Sequence, residues 1–318
     1  MILIFCSLLL ALALDFRFFK FKNHRSLSGF RRYAHFLNKS LNRSTYKKYQ
    51  LINGVVAALL AVIPFIGVII IVQHSSPVIV NVIIDVAILY LCFGWSVFQQ
   101  QIKDIFEELN VNQIDSARLK LADIVSSETS SLNGTQIAQE SIESILKNSL
   151  SLLFGMSFWF VLTGVEGALL YRLVGMLNDD WSDGLSVKGN SSSYFSRFST
   201  YIFNVLNVIP ARLMAYGMIF CSSTVEQGRK ALSCWKAQAK RSANRSDGIL
   251  FSTGAGALNV RLGEGTWLKG DMNNQWKANP AMGCGDMAQP KDMLLALQLV
   301  RRTLIFWLLT IGGLSIVL

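Results

Sequence analysis

Charge is scarce in this chain. Asp, Glu, Lys and Arg make up only 16% of its 318 residues, against roughly 25% in an average soluble domain. That deficit, with 52% apolar residues and a mean hydropathy of +0.39, argues against a water-soluble protein and for lipid contact. Cysteine and histidine are sparse as well. Cys6, Cys92, Cys221, Cys234 and Cys284 form no CxxC pair, and His24, His35 and His74 show no HExxH spacing, so no transition-metal or redox centre is expected and the cysteines read as free thiols. Neither an internal repeat nor a heptad run is present, which excludes a solenoid or a coiled coil.

What the chain has instead is long apolar runs, at 1–14, 51–72, 78–98, 149–175, 201–221 and 303–318. The runs 51–72, 78–98 and 303–318 are nearly free of charge, Asp85 excepted, and each is about as long as a bilayer crossing needs. The first run lacks a positive leading region and a small-residue cleavage site, so it reads as an uncleaved anchor that takes in some of the phenylalanines after Asp15. The reading is all-α: a polytopic helical integral membrane protein with amphipathic or re-entrant helices and cytoplasmic loops.

The net charge of +10 does not imply nucleic acid, because the basic residues flank apolar runs instead of lining an aromatic-interleaved groove. Residues 17–48 hold ten Lys/Arg and no acid, and residues 222–302 hold twelve Lys/Arg. By the positive-inside rule both segments are cytoplasmic and both chain ends lie outside. Residues 51–72 and 78–98 then form a hairpin through His74–Pro77. The middle runs are ambiguous. Residues 201–221 contain Asn204, Asn207, Pro210 and Arg212, and 149–175 contain Glu166 and Arg172. Either both cross, or both are re-entrant or interfacial, and charge counting does not separate the two. The organisation expected is an N-terminal membrane unit (1–98), a central region with embedded helices (99–302) and a last crossing (303–318).

Between the crossings, residues 99–148 read as amphipathic helices, with Ile102, Ile105, Phe106 and Leu109, then Ala117 and Leu121, then Ile137, Ile142 and Ile145 at helical spacing. The Ser/Thr-rich stretch 126–135 is a turn and 178–199 a loop. The run Ser252-Thr253-Gly254-Ala255-Gly256-Ala257-Leu258-Asn259-Val260-Arg261-Leu262-Gly263 follows a hydrophilic stretch from Lys240 to Gly248. Its small residues suit close helix packing, or cradling of a phosphate by Gly254 and Gly256.

Segment 240–263 resembles the signature ending GALGVRLGG of the membrane-bound cobalamin-biosynthesis family, the adenosylcobinamide-phosphate synthases. Four further blocks match in order. Ala117-Arg118-x-x-Leu121-x-x-Ile124-Val125 is similar to the family's ARxxLxxIVGRDT, and Gly167 through Arg172 to its GALAYR. Ile209-Pro210-Ala211-Arg212-Leu213 matches IPARL, and Asp292 through Arg302 resembles the closing DIxxALxLxRR helix. The resemblance covers about residues 85–302.

The departures are specific. The family's N-terminal GDP and HPV motifs have no counterpart in residues 15–40. In its VETVAENTSDG block this chain keeps Glu143 and Asn148 but has Lys147 at the second glutamate and Ser151 at the aspartate. Gly175 and Asn178 stand in the NTLDSM block where the family has asparagine and aspartate, with Asp179 and Asp180 adjacent, and Glu128 replaces the GRDT aspartate before a retained Thr129. The resemblance implies an enzyme of the bacterial inner membrane, its functional loops cytoplasmic. It would join adenosylcobyric acid to aminopropanol phosphate (or aminopropanol) with ATP and Mg2+, beside other corrinoid-pathway membrane enzymes. It further implies Glu143, Asn148 and Arg261 as catalytic candidates and Arg118, Arg212, Asn244, Gly254 and Gly256 as substrate-binding ones, the arginines because guanidinium grips phosphate in a bidentate manner. Loss of carboxylates weakens a hard-cation site, and the alternative is a non-enzymatic membrane regulator of the same superfamily, like the regulator of beta-lactamase induction.

Overall fold

The computed structural model describes residues 2–17, 27–42, 46–125, 128–183, 194–263, 267–269, 276–278 and 280–317. Its helices are α1 (Ile2–Arg17), α2 (Ser28–Leu41), α3 (Lys47–Ser75), α4 (Val78–Cys92), α5 (Trp95–Asn110), α6 (Ile114–Ala122), α7 (Gly134–Ser149), α8 (Gly155–Asp183), α9 (Arg197–Phe220), α10 (Val225–Gln238), α11 (Arg245–Leu258) and α12 (Pro290–Val317). A π-helical turn, Leu150–Phe154, joins α7 to α8. The all-α, multi-pass reading holds, with five helices among the described residues long and apolar enough to cross a membrane. The strands lie between α11 and α12: β1 (Val260–Leu262), β2 (Trp267–Lys269), β3 (Trp276–Ala278), β4 (Met282–Gly283) and β5 (Asp286–Met287). β1 pairs antiparallel with β4 and parallel with β5, and β2 pairs with β3.

The outer frame is α1, α3, α4 and α12. Gly312 of α12 leaves room for the Phe5 ring of α1, and near the other end of α1 the buried Asp15 carboxylate accepts the amide of Ser96 at 3.1 Å. With 16 residues, α1 spans about 24 Å, less than the roughly 30 Å of a hydrocarbon core. Helices α3 and α4 are the expected pair, joined at Ser76 and Pro77, but they splay beyond that turn, α3 packing on α2, α8 and α9 and α4 on α1 and α8. The one acid in the pair, Asp85, accepts the side-chain amide of Gln73 at 2.7 Å, which partners a group that lipid would leave unsatisfied. The basic segment 17–48 is more than a loop, because α2 folds back along α3. Leu41 accepts from Asn53 at 2.9 Å, Leu60 from the Tyr33 hydroxyl at 3.2 Å, and Phe30 meets Phe65 edge-on.

The apolar run 149–175 turns back on itself. Gly164 has φ 80° and ψ −166° inside α8, a left-handed conformation that strains any residue with a Cβ. The two arms then pack antiparallel: Tyr171 lies on Gly155, and its hydroxyl comes 3.5 Å from the Leu150 carbonyl. The reversal through one glycine suits the re-entrant alternative. Half of the most apolar window in 134–181 is buried within the protein (50%), against 22% for α3, so neighbouring helices instead of lipid cover much of it.

Helix α9 is long enough to cross, yet its two ends meet the basic ends of two different frame helices. Phe195, just before it, sits on Gly54 near the start of α3. Gly217, near its end, meets Thr303 and Trp307, just past Arg301 and Arg302. We expect Arg197→Cys and Ser223→Cys, each in a cysteine-free background, to react with an impermeant maleimide from the same side of the membrane. Labelling from opposite sides would make α9 a crossing.

Two expected boundaries dissolve into helices. Position 98/99 lies inside α5 and 302/303 inside α12, which runs unbroken for 28 residues after Asp292 caps its start through the Gln289 amide at 2.8 Å. The loop expected from 178 begins later, because α8 continues to Asp183. Trp181 holds it there, buried against Phe195, with its indole N–H donating to the Ala34 carbonyl at 3.2 Å. Residues 184–193 lie outside the described residues.

Candidate functional site

Helix α11 is the hub of the polar interior. Asn244 caps it, its side-chain oxygen accepting the Ser246 amide at 3.0 Å, which satisfies one of the orphan donors of a helix start. Asn259 ends it in the left-handed conformation at φ 55°. Residues 252–257 are buried without interruption, as a helix surrounded by others must be. That burial requires small side chains. A Cβ on Gly254 would meet Leu146 of α7 at 2.5 Å, and one on Gly256 would meet the backbone of Ala231 in α10 at 2.6 Å. Both glycines therefore serve helix packing, with their amides inside the helical ladder. Nothing in this placement forms a phosphate cradle.

At the N-terminal end of α11, side chains from four helices converge. The Asn244 amide donates to Asn204 of α9 at 3.0 Å. Three residues beyond Asn244 is Asp247, with the Lys147 ammonium of α7 within electrostatic reach. Burial pushes the Asp247 carboxyl above the ordinary carboxylate range, and Lys147 and the Asn244 side chain counter only part of that. The Tyr171 hydroxyl of α8, fully buried, donates to Asn207 of α9 at 2.7 Å, and Asp179 and Asp247 both act on it electrostatically. Glu143, buried on α7, lies one turn before Lys147 on the same helix face. Asn148 follows Lys147 and donates to its own helix at Ser144, at 3.0 Å.

Of the residues singled out from sequence, Glu143 and Asn244 thus belong to one cluster with Lys147 and Asp247. The others stand apart. Arg261 is on β1, past the far end of α11 and about 20 Å along the axis from Asp247 by helical rise, and it donates to the Gly285 carbonyl at 2.9 Å. Arg118 braces the loop before α7, donating to the Leu132 carbonyl at 2.8 Å and to Asp115 at 2.7 Å. Arg212 donates to the Val208 carbonyl of its own helix at 2.6 Å. Asp180 faces Arg31 of α2 at 3.7 Å. Cys234 and Cys284, distant in sequence, bring their sulfurs to 3.1 Å.

Sequence reasoning passed over Asp247 and the asparagines. A signal for the latter was available, because Asn204 and Asn207 are three apart on an apolar helix and so share a face. Buried amides on such a face require partners across the interface.

The architecture defines a multi-pass helical membrane protein with a polar cluster at the meeting of α7, α8, α9 and α11. The chain belongs to the CobD/CbiB protein family, whose model matches residues 8–300. It is 32% identical over 227 residues to cobalamin biosynthesis protein CobD of Chromobacterium violaceum, covering 71% of this chain and 69% of that one. It is 30% identical over 315 residues to the protein of the same name from Stutzerimonas stutzeri, covering 98% of each. A probable cobalamin biosynthesis protein CobD of Thermoplasma acidophilum is 29% identical over 202 residues, 63% of this chain and 65% of the relative. No solved structure matches.

Proposed function

We propose that this protein forms an amide bond in cobalamin assembly, joining a carboxyl side chain of adenosylcobyric acid to aminopropanol phosphate at the cytoplasmic face of a bacterial inner membrane. The observation that carries the reading is the half-buried Asp247 with Lys147 and Asn244 around it, in the segment where the family resemblance is densest. An amine nucleophile enters as an ammonium ion and must lose a proton before it can attack the carbon of an activated carboxyl group; as the C–N bond forms, the bond from that carbon to the activated oxygen breaks, and the oxygen leaves with its activating group. A carboxylate made more basic by burial is suited to take that proton. The ammonium of Lys147 is suited to stabilise the negative charge that develops on the carbonyl oxygen. Glu143 and Asn244 orient these groups.

The ATP and Mg2+ that the resemblance implies fit this cluster poorly as resident groups. Hard cations take several anionic oxygens, whereas Lys147 stands where the family has a glutamate. Among the described residues no three His, Cys, Asp or Glu come together.

The test is complementation of a bacterial strain that lacks the synthase and is fed cobyric acid. Expression of this chain should restore cobalamin-dependent growth. If well-expressed, membrane-inserted protein fails to do so, the enzymatic reading falls and the regulatory alternative takes its place.

A further inference from the structure

A cavity among the described residues lies away from the α11 cluster. It has a volume of about 280 Å3 and sits where α1, α5 and α12 come together, with Leu153 at its back. From α5 it takes Ser96, Gln100 and Lys103, a stripe at i, i+4 and i+7. From α12 it takes Leu297, Arg301 and Leu304, spaced the same way, and Phe16 closes the α1 side. The two helices thus present parallel stripes across a shared space.

The chemistry of the lining is one-sided. Lys103 and Arg301 are exposed and form no ion pair among the described residues. Ser96, beside the cavity, is buried, and its hydroxyl has no hydrogen-bond partner. The nearby acid, Asp15, is already engaged with the Ser96 amide. Asp104 of α5 is likewise engaged, accepting the Gln100 side-chain amide at 2.8 Å. That leaves the two cations, which match a phosphate ester, whose oxygens accept several charge-assisted bonds at once. The walls are graded as well. Leu304 lies at the start of the apolar half of α12, while Gln100 and Lys103 lie toward the polar part of α5 and Phe16 lies in the last turn of α1 between Asp15 and Arg17. That gradient suits a molecule with an ionic head and a hydrocarbon tail.

We propose that this cavity binds a phosphate ester at the basic side of the membrane. A glycerophospholipid headgroup and a small soluble phosphomonoester share that chemistry, and the graded walls favour the lipid. The cavity shares no residue with the α11 cluster.

Native mass spectrometry of the detergent-solubilised full chain tests this with two probes, phosphatidylglycerol against phosphatidylcholine, and glycerol 3-phosphate. Wild-type protein should retain phosphatidylglycerol at least fivefold better than phosphatidylcholine. Lys103→Gln with Arg301→Gln should remove that preference. Lys291→Gln, on α12 outside the cavity, should not alter it. Lipid preference lost in the variants assigns the site to a lipid. Loss of glycerol 3-phosphate binding alone assigns the same chemistry to a soluble ester. If wild type and variants bind both probes alike, the proposal is overturned, and growth complementation by the wild type is unaffected by that outcome.

Discussion

Gly256→Leu is expected to leave almost no folded protein in the membrane, and Gly256→Ala to lower the midpoint of thermal unfolding by several degrees. The reason is the identity of the atoms in the way. A Cβ at position 256 would lie 2.6 Å from the Ala231 Cα, 2.8 Å from its nitrogen and 3.0 Å from the Lys230 carbonyl carbon. All are backbone, so α10 must shift as a body, and overpacking of this kind costs about 1–3 kcal/mol even for one methyl group. Alanine regains about 1 kcal/mol through its helix propensity, which does not offset a backbone clash. Gly254 is the control, because its Cβ would meet only the end of the Leu146 side chain, at 2.5 Å and 2.9 Å. A rotamer change relieves that, so Gly254→Ala should come out near neutral. Fluorescence-detected gel filtration after heating reads both, and equal midpoints for the two alanine variants would refute the packing account.

Asp247→Asn should abolish complementation, by a hundredfold or more in turnover, while leaving the protein as stable as wild type or more so. The sign follows from linkage. A carboxyl whose folded pKa lies above its unfolded value binds its proton more tightly in the folded state. Stability is therefore greatest below the unfolded value, near pH 4, declines as pH rises toward the folded value, and stays lower above it. The amide cannot ionise, so at neutral pH it escapes that loss. A residue that costs stability and is needed for growth is the pattern of a functional group held in a strained setting. Normal growth with Asp247→Asn would remove it from the site. Reduced abundance and midpoint together would make it a structural residue.

Much of the frame was legible because lipid imposes a severe filter. Uninterrupted apolar length reveals α3 and α4 directly, and Asn133 before Gly134 and Thr135 starts α7 with a reciprocal cap that involves Gln136. The hairpin at Gly164 was not legible, since a glycine in an apolar run is common and only the Tyr171–Gly155 contact shows that the chain reverses. Helix α2 was hidden by its charge. Ten basic residues in 17–48 dominate the composition, while Phe30, Ala34 and Leu37, which hold it to the bundle, are only three positions. For the site, motif position found Glu143 and Asn244 but also drew in Arg118, Arg212 and Arg261, because a motif records recurrence, whether its cause is packing or chemistry. Asp247 escaped because a lone acid in the first turn of a helix is ordinary surface chemistry until burial is known.

The hairpin also sets an order of events at the ribosome. Its arms emerge carrying Tyr171 and Trp159, whose polar atoms find their partners on Asn207 and Leu206 of α9, some fifty residues further along the nascent chain at the widest. Until α9 has been made, those groups face lipid or the insertion machinery without partners. The Asn204–Asn244 contact then waits for α11 in turn. The frame helices can enter the bilayer one pair at a time, but the polar interior closes only near the end of synthesis. A chain stopped before α11 would be inserted without being assembled, and the quality-control proteases of the membrane would meet it in that state.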